Sequence, residues 1–205
     1  DVPYWGVDEQ GVGYIRVTKF SKHTASDFHK GLEEIKKTNN DLNGLIIDLR
    51  GNSGGLLQNA LSILDELTDR RTKLLFTKGR TKKSNKNMFA RRKNNLSVDI
   101  PIAVLIDRSS ASASEIVSGV LQDLDRAVVI GKRSFGKGLV QSIYSMNDTT
   151  KLKVTTAKYY TPSGRLIQKL DYIGNGVLTD GYDKKDTLFK TIGGRDVRSG
   201  TGIIP

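Results

Sequence analysis

Three short apolar runs, at residues 45–49, 102–106 and 127–130, are each too short to be a helix. They alternate with amphipathic helical patterns and with turns rich in glycine and serine. This alternation restricts the fold more than any other feature. Leu45-Ile46-Ile47-Asp48-Leu49 is nearly all apolar, as in a strand covered on both faces. Residues 24–37 place Phe28, Leu32 and Ile35 on one helical face, with Thr24 and Asp27 in the spacing of a capping box. Leu57, Ala60, Leu61, Leu64 and Leu67 mark a second helix, and Ile116, Val117, Val120, Leu121 and Leu124 a third. Further strands are expected at 13–17, 139–144 and 152–160, with a turn at Thr161-Pro162-Ser163-Gly164. Repeated strand–helix–strand units imply an α/β sheet covered by helices.

At 205 residues the chain can bury a substantial core as one domain. No apolar run approaches the ~18 residues that a spanning helix needs, and the start lacks a signal-peptide pattern. Both ends read as cut from a longer chain. The absence of cysteine excludes disulfides, zinc–thiolate sites and a cysteine nucleophile. The net charge of +11 is local: eleven basic residues and no acidic one lie between Arg70 and Lys93. The rest of the chain is balanced. Such a run reads as a solvated, mobile arm. Nucleic acid is not an expected partner, because only Phe76 and Phe89 interleave the charges and could stack on bases.

Two segments carry chemistry. Ser109-Ser110-Ala111-Ser112-Ala113-Ser114-Glu115 puts hydroxyl groups at the mouth of the third helix, where backbone N–H groups are free. Phe135-Gly136-Lys137-Gly138-Leu139-Val140-Gln141 puts a lysine between glycines at the start of a strand. His23 and His29 lie far upstream, around the first helix. A serine nucleophile here would need Lys137 as its base, kept neutral by burial. Gln141, four residues on, shares a strand face with Lys137. The loop Arg50-Gly51-Asn52-Ser53-Gly54-Gly55 could supply further N–H donors to an oxyanion. Spacing does not choose among Ser109, Ser110, Ser112 and Ser114. The residues alone imply a serine–lysine hydrolase or a ligand-binding α/β domain.

These two segments, with Asp48-Leu49-Arg50-Gly51-Asn52-Ser53-Gly54-Gly55 and Tyr159-Tyr160-Thr161-Pro162-Ser163-Gly164-Arg165-Leu166-Ile167-Gln168, resemble the carboxyl-terminal processing (tail-specific) serine proteases of family S41. The resemblance implies a spiral α/β core of βαβ units with additional strands, similar to crotonase and the caseinolytic protease. It implies Ser112 as nucleophile, Lys137 as base, Gln141 as its orienting partner, and the N–H groups of Ala113 and Gly55 as the oxyanion hole. No metal or organic cofactor is implied. The expected partners are proteins or peptides with exposed C-terminal tails. The expected setting is extracytoplasmic, at a bacterial cell envelope and peripheral to its membrane. Residues 1–205 would be the protease core, with a basic arm or flap at 70–95, a C-terminal strand or lid region at 170–205, and no PDZ domain. The rival readings are a non-hydrolytic peptide-binding domain on the same fold and an acyl-thioester enzyme whose basic arm holds phosphate.

Overall fold

The computed structural model describes residues 1–38, 42–172, 178–180 and 187–205. Along the chain run β1 (Tyr4–Val7), β2 (Val12–Arg16), α1 (Thr24–Thr38), β3 (Gly44–Asp48), α2 (Leu57–Leu67), β4 (Lys73–Gly79), β5 (Lys86–Phe89), β6 (Ile102–Ile106), α3 (Ala113–Asp123), β7 (Ala127–Gly131), β8 (Leu139–Ser145) and β9 (Lys151–Tyr160). The short strands β10 (Leu170–Tyr172), β11 (Leu178–Asp180), β12 (Leu188–Lys190) and β13 (Asp196–Arg198) follow. The principal sheet has the order β1-β2-β3-β6-β7. Its β1–β2 pair is antiparallel and the other pairs are parallel. A parallel pair needs a crossover, which accounts for a helix between β2 and β3 and another between β6 and β7.

The register aligns Ile15, Ile47, Val104 and Val129 across four strands. All four are buried, the first three completely. Each contributes about 1.5–3 kcal/mol through burial. α1 packs on β1, β2 and α2, while α2 packs on α3 and α3 on β7. The opposite face of the sheet is less covered, and Val128 and Ile130 on β7 are exposed. α3 is buried along its whole length, including Ser114, Glu115, Ser118 and Gln122. A helix buried on every side needs partners for its polar side chains, and those partners build the site.

Two expectations require correction. Thr24 does not form a capping box with Asp27. Its hydroxyl donates to the Lys19 carbonyl and accepts the Ser21 N–H, which fastens the loop before α1 instead. The basic run does not form a free arm either. It folds as β4 and β5 in a second sheet of order β5-β4-β9-β8. Leu74 and Leu75 are completely buried there, while nearly all the cations face solvent. Burial of the adjacent Leu74 and Leu75 outweighs the mutual repulsion of charges that water screens.

Candidate active site

After β6 the chain turns through Asp107 into α3, and the hydroxyl groups of that turn separate into two kinds. Ser110 and Ser114 are fully buried. Ser110 Oγ donates to the Leu49 carbonyl at 2.8 Å, and Ser114 Oγ to the Asn52 carbonyl at 2.9 Å. Both are occupied in holding the turn to the end of β3. Ser109 is exposed on the rim. Ser112 is half-buried at the N-cap of α3 with φ of +55° and ψ of −110°. A non-glycine residue in that region costs about 1–3 kcal/mol and persists only where its surroundings dictate it.

Those surroundings are identifiable. Ser112 and Glu115 stand in capping-box relation, and the Glu115 carboxylate accepts the Ser112 N–H at 2.8 Å. The same carboxylate accepts Ser134 Oγ, the Gly136 N–H and the Lys137 N–H, at 2.6, 2.6 and 2.8 Å. One buried side chain therefore ties the backbone of the serine turn to that of the lysine segment. Burial pushes the Glu115 carboxyl above its ordinary range, against the pull of those four donors.

The glycine loop faces the serine turn directly. A methyl group on Gly54 would lie 2.6 Å from the Ala111 carbonyl oxygen, 2.8 Å from Ser112 Cβ and 3.0 Å from the Ala113 nitrogen. Gly54 also has φ of +99°, so this approach requires glycine. Buried Asn52 braces the loop, donating to the Val17 carbonyl and accepting the Gly54 N–H. Asp107 accepts N–H groups from Gly51 on one side and from Ser109 and Ser110 on the other. Those donors hold its carboxyl below the usual range although burial opposes them. At the root of the loop, Asp48 is fully buried. It accepts the Tyr14 hydroxyl, Arg16 and both arms of the Arg50 guanidinium. Burial alone would raise its carboxyl; the Arg50 and Tyr14 bonds outweigh it and hold the group at about 2.

Among the described residues, the N–H groups of Gly55 and Ala113 lie outside this network. The bridge between Phe20 and Gly55 uses the Gly54 carbonyl and the Leu56 N–H, which leaves the Gly55 N–H unengaged by it. Ala113 is the first residue of α3, so no preceding turn supplies its N–H with a carbonyl.

The lysine segment is clamped along its backbone. Besides the two bonds to Glu115, the Gly138 N–H donates to Gln168 Oε1 at 2.6 Å, and the Lys169 N–H to the Gly136 carbonyl at 2.9 Å. A methyl group on Gly136 would lie 2.5 Å from Lys169 Cβ, and one on Gly138 2.5 Å from the Gln168 nitrogen. The glycines on either side of Lys137 are needed for this contact. The Lys137 side chain lies in the cleft and is exposed, which corrects the expectation of a nearly buried lysine. Among the described residues its Nζ makes no hydrogen bond to Ser112 or Gln141, and Gln141 is itself exposed. The backbone bonds anchor the segment but leave the side chain projecting into open space.

The model of Peptidase family S41 matches residues 11–180. The chain belongs to peptidase family S41. A carboxy-terminal-processing protease of Bartonella bacilliformis is 43% identical over 162 residues, 78% of this chain and 37% of that protein. The carboxy-terminal processing protease CtpB of Bacillus subtilis is 39% identical over 165 residues, 80% of this chain and 33% of that protein. This S41 chain thus spans about a third of the length of these relatives. A solved photosystem II D1 C-terminal processing protease superposes with a TM-score of 0.68 at 32% identity, covering 77% of this chain and 39% of that one. A lipoprotein from Streptococcus agalactiae shares the fold at 20% identity, with a TM-score of 0.66. The α/β core expected from the sequence is therefore the S41 fold.

Sequence reasoning placed Ser112, Ala113, Gly55 and Lys137 on segments that the S41 fold does bring together. It missed the roles of Asp48, Asn52, Asp107 and Glu115. Only Glu115 carried a local signal, because a serine followed three residues later by glutamate is a capping-box pattern. The other three also accept an N–H two residues on, but their contacts with Tyr14 and Arg16, with Val17 and with Gly51 cross the fold, and their own segments do not reveal those partners.

Proposed function

We propose that this chain is the catalytic core of a serine endopeptidase that cuts peptide bonds near protein C-termini. Ser112 is its nucleophile and Lys137 its base. The observation that carries this reading is Ser112 itself: a half-buried serine at positive φ on a buried helix N-terminus, with Gly54 packed against it. The neutral Lys137 amine takes the hydroxyl proton as Ser112 Oγ attacks the peptide carbonyl carbon. The N–H groups of Ala113 and Gly55 hold the oxyanion that forms. Lys137 then gives its proton to the departing amine as the C–N bond breaks, leaving an acyl-serine. Water, deprotonated by Lys137, attacks the acyl carbon and releases the acid and the serine. Substrate lying in the cleft displaces water around Lys137 and directs its amine toward Ser112, with Gln141 orienting it.

Support comes from the family, from relatives described as carboxy-terminal-processing proteases, and from the bracing of Ser112 and Lys137 on one carboxylate. The proposed substrates are proteins with exposed C-terminal tails. The proposed setting is the bacterial cell envelope, outside the cytoplasm and peripheral to the membrane. Incubation with an unstructured protein should give new C-terminal fragments, and a fluorophosphonate probe should label Ser112. Equal cleavage by the Ser112→Ala variant would refute the assignment.

A further inference from the structure

Outside residues 70–93 the chain carries as many acidic as basic residues. The cleft beside Ser112 does not share that balance. It encloses about 1540 Å³, and among the described residues its wall carries Arg108, Lys132, Arg133, Lys137 and Lys169 and no acidic side chain. Arg108 follows β6, Lys132 and Arg133 follow β7, and Lys169 follows β9, so three separate connections bring the charge to one place. Arg108, Lys132 and Arg133 are exposed and enter no ion pair among the described residues. Among the described residues, neither nearby carboxylate pairs with them. Asp107 is engaged by the N–H groups of Gly51, Ser109 and Ser110, and Glu115 by those of Ser112, Gly136 and Lys137. Like charges gathered on a concave surface repel one another and focus a positive potential into it.

We propose that this cleft selects substrate segments carrying aspartate or glutamate side chains next to the bond to be cut. The proposal rests on the endopeptidase reading above and adds a specificity to it. Arg108, Lys132 and Arg133 contact the acidic side chains, while Ser112 and Lys137 act on the backbone. Three such exposed pairs together amount to about a tenfold preference.

The test reads binding rather than turnover, so its outcome is separate from that of the catalytic assignment. Fluorescent unstructured peptides, identical except for three glutamates in place of three glutamines, are titrated into the Ser112→Ala variant by anisotropy, each with a free and an amidated C-terminus. The glutamate peptide should bind about tenfold tighter at low salt, whether or not its terminus is amidated, and the gap should narrow as salt rises. In the same background, Arg108→Ser with Lys132→Ser and Arg133→Ser should abolish the preference and leave affinity for the glutamine peptide unchanged. Equal affinity for the two peptides would overturn the proposal. So would a preference that survives the triple substitution, or one that depends only on a free terminal carboxylate.

Discussion

The serine turn with its glycine loop and the lysine segment border one cleft, yet they are held in different ways. Around Ser112 the bracing reaches the side chains: Asp48, Asn52, Asp107, Ser110 and Ser114 all engage neighbouring backbone or side-chain groups. Around Lys137 the bracing stops at the backbone, and the Lys137 and Gln141 side chains reach into solvent. The half that would stabilise charge in the transition state is built in advance; the half that would move the proton is not. Fixed dipoles are most effective when no reorganisation is needed, so their rigidity suits an oxyanion site. A base can tolerate being left open if substrate itself completes its environment.

The largest expected effect tests whether the open half is catalytic at all. Lys137→Arg keeps the charge but not the ability to give up a proton, and should reduce kcat by about 10⁴-fold or more, with stability unchanged. Near-normal turnover in single-turnover assays would break the comparison by making the lysine dispensable.

Glu115→Gln addresses the joint between the halves. An amide there turns one of two accepting oxygens into a donor facing N–H groups. The expected loss is about 2–4 kcal/mol in chemical denaturation, with a fall in kcat because both segments shift. Unchanged stability would show that the two halves are not coupled through this carboxylate.

The rigid half should also show its character in acid. Asp48 has a folded pKa of about 2 against an ordinary value of 3.8. Its contribution is therefore whole above about pH 4 and is lost as pH falls through about 2. Asp48→Asn should remove on the order of 2 kcal/mol at neutral pH and flatten that acid dependence. An unfolding free energy that falls as steeply with acid in the variant would place the sensitivity elsewhere.

The smallest structural effect is expected at Gln141→Ala. An exposed side chain with no partner among the described residues should alter stability by less than about 0.5 kcal/mol. A fall in kcat of about tenfold or more without that loss would show that Gln141 gains its role only when substrate is bound; no change in either would limit the working base to Lys137.

The sequence by itself determined the α/β class, six of the strands, the three helices and the segments bearing Ser112 and Lys137. Those features depend on short-range periodicity and on motifs contained within one stretch of chain. It also drew attention to four serines in one turn without separating them. Only the tertiary structure did that, because burial and bonding to Leu49 and Asn52 occupy Ser110 and Ser114. The tertiary structure also decided that Leu74 and Leu75 draw the basic run into a sheet, that Glu115 joins two segments some twenty residues apart, and that Lys137 stands in the open. Each depends on which residues meet across the fold, and a buried polar group takes its role from the partners that distant segments bring to it.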